Sequence, residues 1–579
     1  MSLRIDAVRL VPSSRTLAPA LVAALLLSLS ASAQLLPGDL DPSFGVGGKL
    51  MLDFNGSTDI AEDVAVQPDG KLVVVGLTYV DNDFSNEDFA VLRLMPDGTP
   101  DPSFGVNGRV TTDFPGLAAV ASAVVVQPDG KLVVAGGAFP LFTFLGDFEL
   151  VRYNPDGSLD TSFGVGGIVT TSFPGQGSYA FDVALQPDGK IVAAGTDYVN
   201  FSSQQSSNTD FALARYLADG TPDPSFGVGG KVTTDFQLGN DDVHAVLVQP
   251  DGKLVAVGAA IDIVKFLDFA AARYLPDGTL DGSFGTGGKT QVDFGTFGTD
   301  VDHDEALAAA LQPDGKIVAA GFTIFDLGIA EQFALVRWNS DGTLDSSFSD
   351  DGMQQIDFGS FLQDAWDVEI QANGKIVATG FADTESSDSD FLLARCNPDG
   401  SLDTTFSGDG KVRTSFGALN GGAHASALQP DGRIVAAGFQ AAGTVEFALS
   451  RYIGDPQAWV DKDGALAGTP GLPVLVAAGD LAAGSSDSID LFNAQPSATA
   501  ALFVATSSQP TPFKGGVLQA FPPAVIIFAV TSAEGTVPLD FTVPAGLPSG
   551  LEVWLQWGIQ DAGAVKGVAL SNAVMGVAP

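Results

Sequence analysis

Seven copies of a glutamine-led turn, four strand-like runs in each copy and no stretch with a helical period predict an all-β protein. The arrangement that fits is a seven-bladed β-propeller of four-stranded blades, closed by the N-terminal strand and followed by a small β-sandwich domain. The expected boundaries are a signal peptide over 1–33, the propeller over 34–459 and the sandwich over 460–579.

The first segment carries Arg4, Arg9 and Arg15, then an apolar run from Leu17 to about Leu29, then Ala31-Ser32-Ala33. That is the pattern of an export signal, so the mature chain is expected to begin at Gln34 and to be secreted, periplasmic or on the cell surface. No later apolar run reaches the roughly 18 residues that span a bilayer, so no transmembrane segment is expected in the mature chain. With 69 acidic and 27 basic residues, the formal net charge of −42 repels polyanions and excludes nucleic acid as a partner. Cys396 is the only cysteine, which excludes an intrachain disulfide and a multi-cysteine zinc site.

The repeats follow. Gln-Pro-Asp-Gly and a basic residue begin at Gln67, Gln127, Gln186, Gln249, Gln312 and Gln429, with the variant Gln-Ala-Asn-Gly-Lys at Gln371. A Ser-Phe-Gly-like step sets Phe44, Phe104, Phe163, Phe226, Phe284, Phe348 and Phe406 about sixty residues apart. Strand A runs up to the glutamine, strand B is of the "KIVAAG" type, strand C of the "DFALARY" type and strand D of the "GGKVTTDF" type. The turn itself fits type I geometry, with proline setting the first bend and glycine free to take a left-handed angle, so Asp314 and Lys316 read as scaffold.

The chain meets a D strand first, Gly48 to Phe54, and the repeats stop on a C strand, Glu446 to Tyr452. Pairing of the two leaves no open edge. Arg93, Arg152, Arg215, Arg273, Arg337 and Arg395 each stand eight residues before an aspartate, whereas Arg451 has none and Asp41 has no arginine before it. Asp41 and Arg451 are therefore expected to pair across the closure.

Spacing separates two faces. The distances from glutamine to the strand-B glycine and from the strand-C phenylalanine to the arginine never change. The B–C connection runs from nine residues (Gly438 to Phe447) to sixteen (Gly195 to Phe211), and D–A lengthens once, between Phe294 and Gln312. Both connections leave on one face, and variable loops on a rigid scaffold carry function.

The words "QPDGKIVAAG" and "LARYNPDGSLDTSFG" resemble the delta-60 repeat family of exported bacterial proteins over about Leu40 to Tyr452. The resemblance implies a propeller outside the cytoplasm and brings no reaction or catalytic residue. The ending, "LEVWLQWGIQDAGAVKGVALSNAVMGV", resembles C-terminal all-β modules of other exported bacterial proteins.

Four groups are candidate sites. The insertion "TDVDHDEA" offers Asp300, Asp302, Asp304 and Glu305 as a metal loop, and "DNDFSNED" offers Asp81, Asp83, Glu87 and Asp88; alternate carboxylates suit calcium, the one cofactor expected, against a plainly solvated loop. Glu62, His244 and His424 stand five residues before the glutamine and form a channel-mouth group able to bind metal or move protons, against a merely polar rim. Phe139, Phe142 and Phe144 stand on the variable face, where they either dock a partner or a sugar ring or fold back on their own blade. No Gly-x-Ser-x-Gly or His-Glu-x-x-His supports a hydrolase.

The expectation is a monomeric binding or structural module, taking a protein or carbohydrate on its variable acidic face, rather than an enzyme. The alternative is a secreted hydrolase or lyase using a divalent cation at the channel mouth.

Overall fold

The computed structural model describes residues 35–455 except 55, 80–86, 141–144, 203–204, 237–238, 262–266, 296–302, 326–329, 384–388, 418–419 and 442–443. Beyond these it describes 459–461, 474–478, 486–492, 494–495, 497–506, 508, 511–513, 516–520, 525–531, 537–542, 552–561, 564 and 568–577. Among the described residues the chain is all strand and turn, and no helix is long and apolar enough to cross a membrane.

Four-stranded antiparallel sheets recur as propeller-like blades. In the first, strands A to D are Asp59–Val66, Leu72–Tyr79, Glu87–Leu94 and Arg109–Thr112. The same order holds in five more sheets, whose A strands are Ala118–Val126, Ser178–Leu185, Asp241–Val248, Asp304–Leu311 and Leu362–Ile370. A seventh sheet takes Gly421–Leu428, Ile434–Ala441 and Val445–Tyr452 from the end of the repeats and Lys49–Leu52 from their beginning. Lys49 faces Ser450 and Leu52 faces Phe447 across that edge.

Strands B and C are buried almost end to end, because each sheet is covered on both faces by its neighbours. The clusters show it: Val73, Phe89 and Phe104 of one repeat pack with Leu132, Val134 and Tyr153 of the next. A phenylalanine after strand D meets one on strand C in each case described, as Phe89 meets Phe114 at 5.0 Å.

The fixed corner is a charge cluster repeated from sheet to sheet. Arg93 Nε donates to Asp101 Oδ2 at 2.8 Å, the guanidinium lies 4.5 Å from the Phe104 ring centroid, and Lys71 from the glutamine-led turn reaches the same carboxylate at 3.3 Å. Arg93 Nη1 also donates to Pro155 O at 2.6 Å in the next repeat. Arg152, Arg273, Arg337 and Arg451 make the corresponding bond to Ala218, Ser340, Pro398 and Pro96. Burial pushes the Asp101 carboxyl up, but the Ser103 amide and hydroxyl with Arg93 and Lys71 outweigh it and hold it well below the usual range. Arg451 Nε donates to Asp41 Oδ2 at 2.9 Å, and Arg433, the seventh turn's basic residue, lies 2.6 Å from that oxygen.

The turn is built as its residues dictate. Gly315 has φ of 85° and donates to Gln312 O at 2.9 Å, while Lys316 O takes the Gln312 amide at 2.8 Å. Lys316 Nζ reaches Asp345 at 2.9 Å, so this lysine belongs to the corner cluster of its own repeat. After Tyr452 the Pro-Asp-Gly turn is absent, and Asp455 takes its place, accepting from Arg395 Nη2 at 2.9 Å and Lys375 Nζ at 2.7 Å.

The last region forms a five-stranded sheet, with Thr499–Ala505 and Glu552–Gln560 near its middle, and a three-stranded sheet of Val474–Ala478, Ser486–Phe492 and Val537–Thr542. One cluster, including Leu475, Leu491, Val537, Leu502 and Trp557, draws on both sheets.

Candidate functional site

The A strands of all seven repeats line one cavity of about 810 Å³. Each A strand breaks its pairing with strand B at one residue: the register skips Glu62, Ser122, Phe181, His244, Leu307, Trp366 and His424. These are β-bulges, where an extra residue goes unpaired and its side chain is re-aimed. All seven bulged residues line the cavity.

The strand-B glycine makes the bulge fit. A Cβ on Gly321 would lie 1.8 Å from Glu305 O, and one on Gly258 1.9 Å from Asp242 O. The backbone carbonyl beside the bulge occupies the space of a side chain, which only glycine leaves empty.

Around the mouth, histidine and carboxylate pair across neighbouring sheets. His424 Nδ1 donates to Glu62 Oε2 at 2.8 Å, and Trp366 stacks on the His424 ring at 4.8 Å between centroids. His244 Nε2 donates to Glu305 Oε1 at 2.9 Å, and His303 Nε2 lies 3.4 Å from Glu305 Oε2. Carboxylates only accept, so the ring nitrogens carry the protons. Burial lowers the His244 pKa, but Glu305 and Asp242 outweigh it and raise the group above its ordinary value. Burial likewise pushes Glu305 up, and the two imidazoles bring it down to about 2. Phe181 packs on His244 at 4.8 Å, and Tyr179, 4.8 Å from Phe181, shares a hydrogen bond with Ser122 at 2.8 Å.

Deeper in, Asp63, Asp182 and Asp367 stitch one sheet to the next through the Val124, Val246 and Ser426 amides, at 2.7, 2.7 and 2.6 Å. Burial pushes Asp63 up to about 7 and Asp182 to about 6, and raises Glu369 with Asp367 adding to it. A cavity with this lining can stack flat apolar faces, accept hydrogen bonds from hydroxyls or amines and repel anions.

The candidates from the sequence regroup. Glu62 and His424 meet, whereas His244 takes Glu305, and all three line the cavity. Asp304 and Glu305 are successive residues of one strand and point to opposite faces. Asp304 is buried and accepts the Phe294 amide at 2.8 Å, while Glu305 turns to His244. Glu87 and Asp88 divide in the same way: Glu87 lines the cavity, and Asp88 lies beside Asp113, pushed up to about 6 by burial and then by that charge. Asp300, Asp302, Asp81, Asp83, Phe142 and Phe144 fall outside the described residues. Phe139 is buried at the cavity edge. The role of Glu305 escaped the sequence reading, although its place two residues before a bulge marks it as facing the same side.

Six segments, 67–104, 127–163, 186–226, 249–284, 312–348 and 371–406, match the family described as "Domain of unknown function (DUF5122) beta-propeller". Comparison with curated protein sequences gives no match. Among solved structures, the chain is similar to a virginiamycin B lyase from Staphylococcus aureus (11% identity, TM-score 0.38, 69% of this chain and 98% of that one). It is also similar to a PL25 ulvan lyase (9%, 0.36, 70% and 96%) and to Drosophila Semaphorin 1a (11%, 0.34, 69% and 87%). Likenesses this distant carry no activity across. The repeat matches and the recurring four-stranded sheets together identify the chain as a β-propeller repeat protein.

Proposed function

We propose that the chain is an exported, monomeric seven-bladed propeller of the delta-60 kind, closed by Lys49–Leu52 and followed by a β-sandwich. Its function in this reading is to bind a neutral or basic carbohydrate at the mouth of the axial cavity. The observation that carries the proposal is the ring of bulged residues: they differ from repeat to repeat, from Glu62 through Phe181 and Trp366 to His424, while the corner behind them does not change. Aromatic faces with carboxylate acceptors between them suit sugar rings and their hydroxyls, and the surrounding acidity disfavours anionic sugars. Calorimetric titration with a panel of neutral and amino oligosaccharides tests this. Saturable binding that Trp366→Ala weakens supports it, and no binding across the panel sinks it.

The paired His424 and Glu62 favour a second reading, a hydrolase or lyase using the mouth for proton transfer with a divalent cation. Shortened or unsaturated products in the same titration mixtures would select it over plain binding.

A further inference from the structure

We propose that Asp210, Asp235 and Asp241 form a calcium site that ties the third sheet to the first strand of the fourth. One oxygen of each carboxylate lies within 4.8 Å of the other two. Asp210 sits on strand C before Phe211, Asp235 follows strand D before Phe236, and Asp241 opens the next strand A. The Phe211 and Phe236 rings pack at 4.9 Å and fix the first two carboxylates side by side.

The buried oxygen of Asp241 points to a missing ligand. Asp241 is fully buried; its Oδ2 takes the Phe236 amide at 2.6 Å, and its Oδ1 has no hydrogen-bond donor. The first sheet shows what satisfies that oxygen elsewhere. There Asp59, the equivalent residue, accepts the hydroxyl of Thr78 at 2.5 Å, and Thr78 stands directly across the strand pair. Across from Asp241 stands Ala260, which has no hydroxyl. After the fifth sheet the same three places hold Gln332, Asp357 and Gln363, and the Gln363 amide donates to Asp357 Oδ1 at 3.1 Å. A hydroxyl serves one copy and an amide another; opposite Asp241 there is neither, which leaves a cation for its bare oxygen.

Burial, with Asp235 and Asp210 adding, pushes Asp241 up to about 7, and burial, with Asp235 adding, pushes Asp210 to about 6. Packed like charges of this kind are relieved by a hard divalent ion on oxygen ligands. Asp235 is exposed, so water can complete the shell, which suits the irregular coordination of calcium better than the strict octahedron of magnesium. One sheet on, Asp268, Asp293 and Asp304 take the same three places within the same distance, beside Phe269 and Phe294 at 5.4 Å.

The test is equilibrium dialysis of the chelator-treated mature chain against calcium, counting bound ions. Asp235→Asn is expected to bind one calcium fewer than wild type, with magnesium at equal concentration failing to compete. Asp357→Asn, at the amide-satisfied copy, is expected to keep the wild-type count. Asp210→Asn repeats the test if Asp235→Asn does not fold. No calcium on the wild-type chain, the outcome if Asp241 simply holds a proton, overturns the proposal, as does an unchanged count in the folded variant or a lost ion in Asp357→Asn.

Discussion

The corner of each repeat and the cavity edge of the same repeat solve opposite problems. At the corner, arginine, aspartate, a basic turn residue and phenylalanine recur in one geometry, and each arginine but Arg395, which takes the Asp455 carboxylate, closes on a carbonyl of its neighbour. At the cavity edge every repeat keeps the same backbone bulge and changes the side chain that it presents. The difference teaches that backbone geometry is the repeated quantity in this chain, and that side chains are held constant only where they fasten one sheet to the next.

Breaking the corner should do most harm. Asp223→Ala leaves Arg215 buried without its carboxylate, and urea unfolding should show a loss of about 4 kcal/mol. Gly321→Ala forces a methyl group onto Glu305 O and should cost about 3 kcal/mol in the same assay. Glu305→Gln sharpens the comparison through pH. His244 is raised above 6.5, so its share of the stability is complete below that value and fades as pH rises through the folded value. Glu305 is lowered from 4.5 to about 2, so its share is complete above 4.5 and is lost as pH falls through about 2. The variant should therefore cost about 2 kcal/mol near pH 5.5 and clearly less near pH 9, read from thermal unfolding. Trp366→Ala removes the ring stacked on His424 and should cost about 1 kcal/mol of stability while weakening oligosaccharide binding about tenfold. Asp314→Ala, on the exposed turn, should change stability by about 0.5 kcal/mol or less.

The sequence made the scaffold readable because the corner residues are spaced alike in every copy. Arg451 and Asp41 show how far that reached, since a gap at each end of the series pointed to their 2.9 Å contact. The candidate site was only half legible. Position five before the glutamine marked Glu62, His244 and His424, yet the bulge that aims them depends on strand B and leaves no sign in strand A alone. In the acidic insertion, Asp304 and Glu305 are neighbours in the sequence, but strand pleating sends one inward to Phe294 and the other to His244. The lysine of the turn hid its partner because Asp345 lies in a later segment that only folding brings near Lys316.

The bulge also separates two kinds of heredity. A residue standing outside the strand ladder takes no part in the backbone pairing of its sheet, so replacing it alters the cavity lining and spares that pairing. A lineage carrying this repeat could revise that lining one codon at a time, at seven separate addresses, while the strand pairing that builds each sheet stays in place.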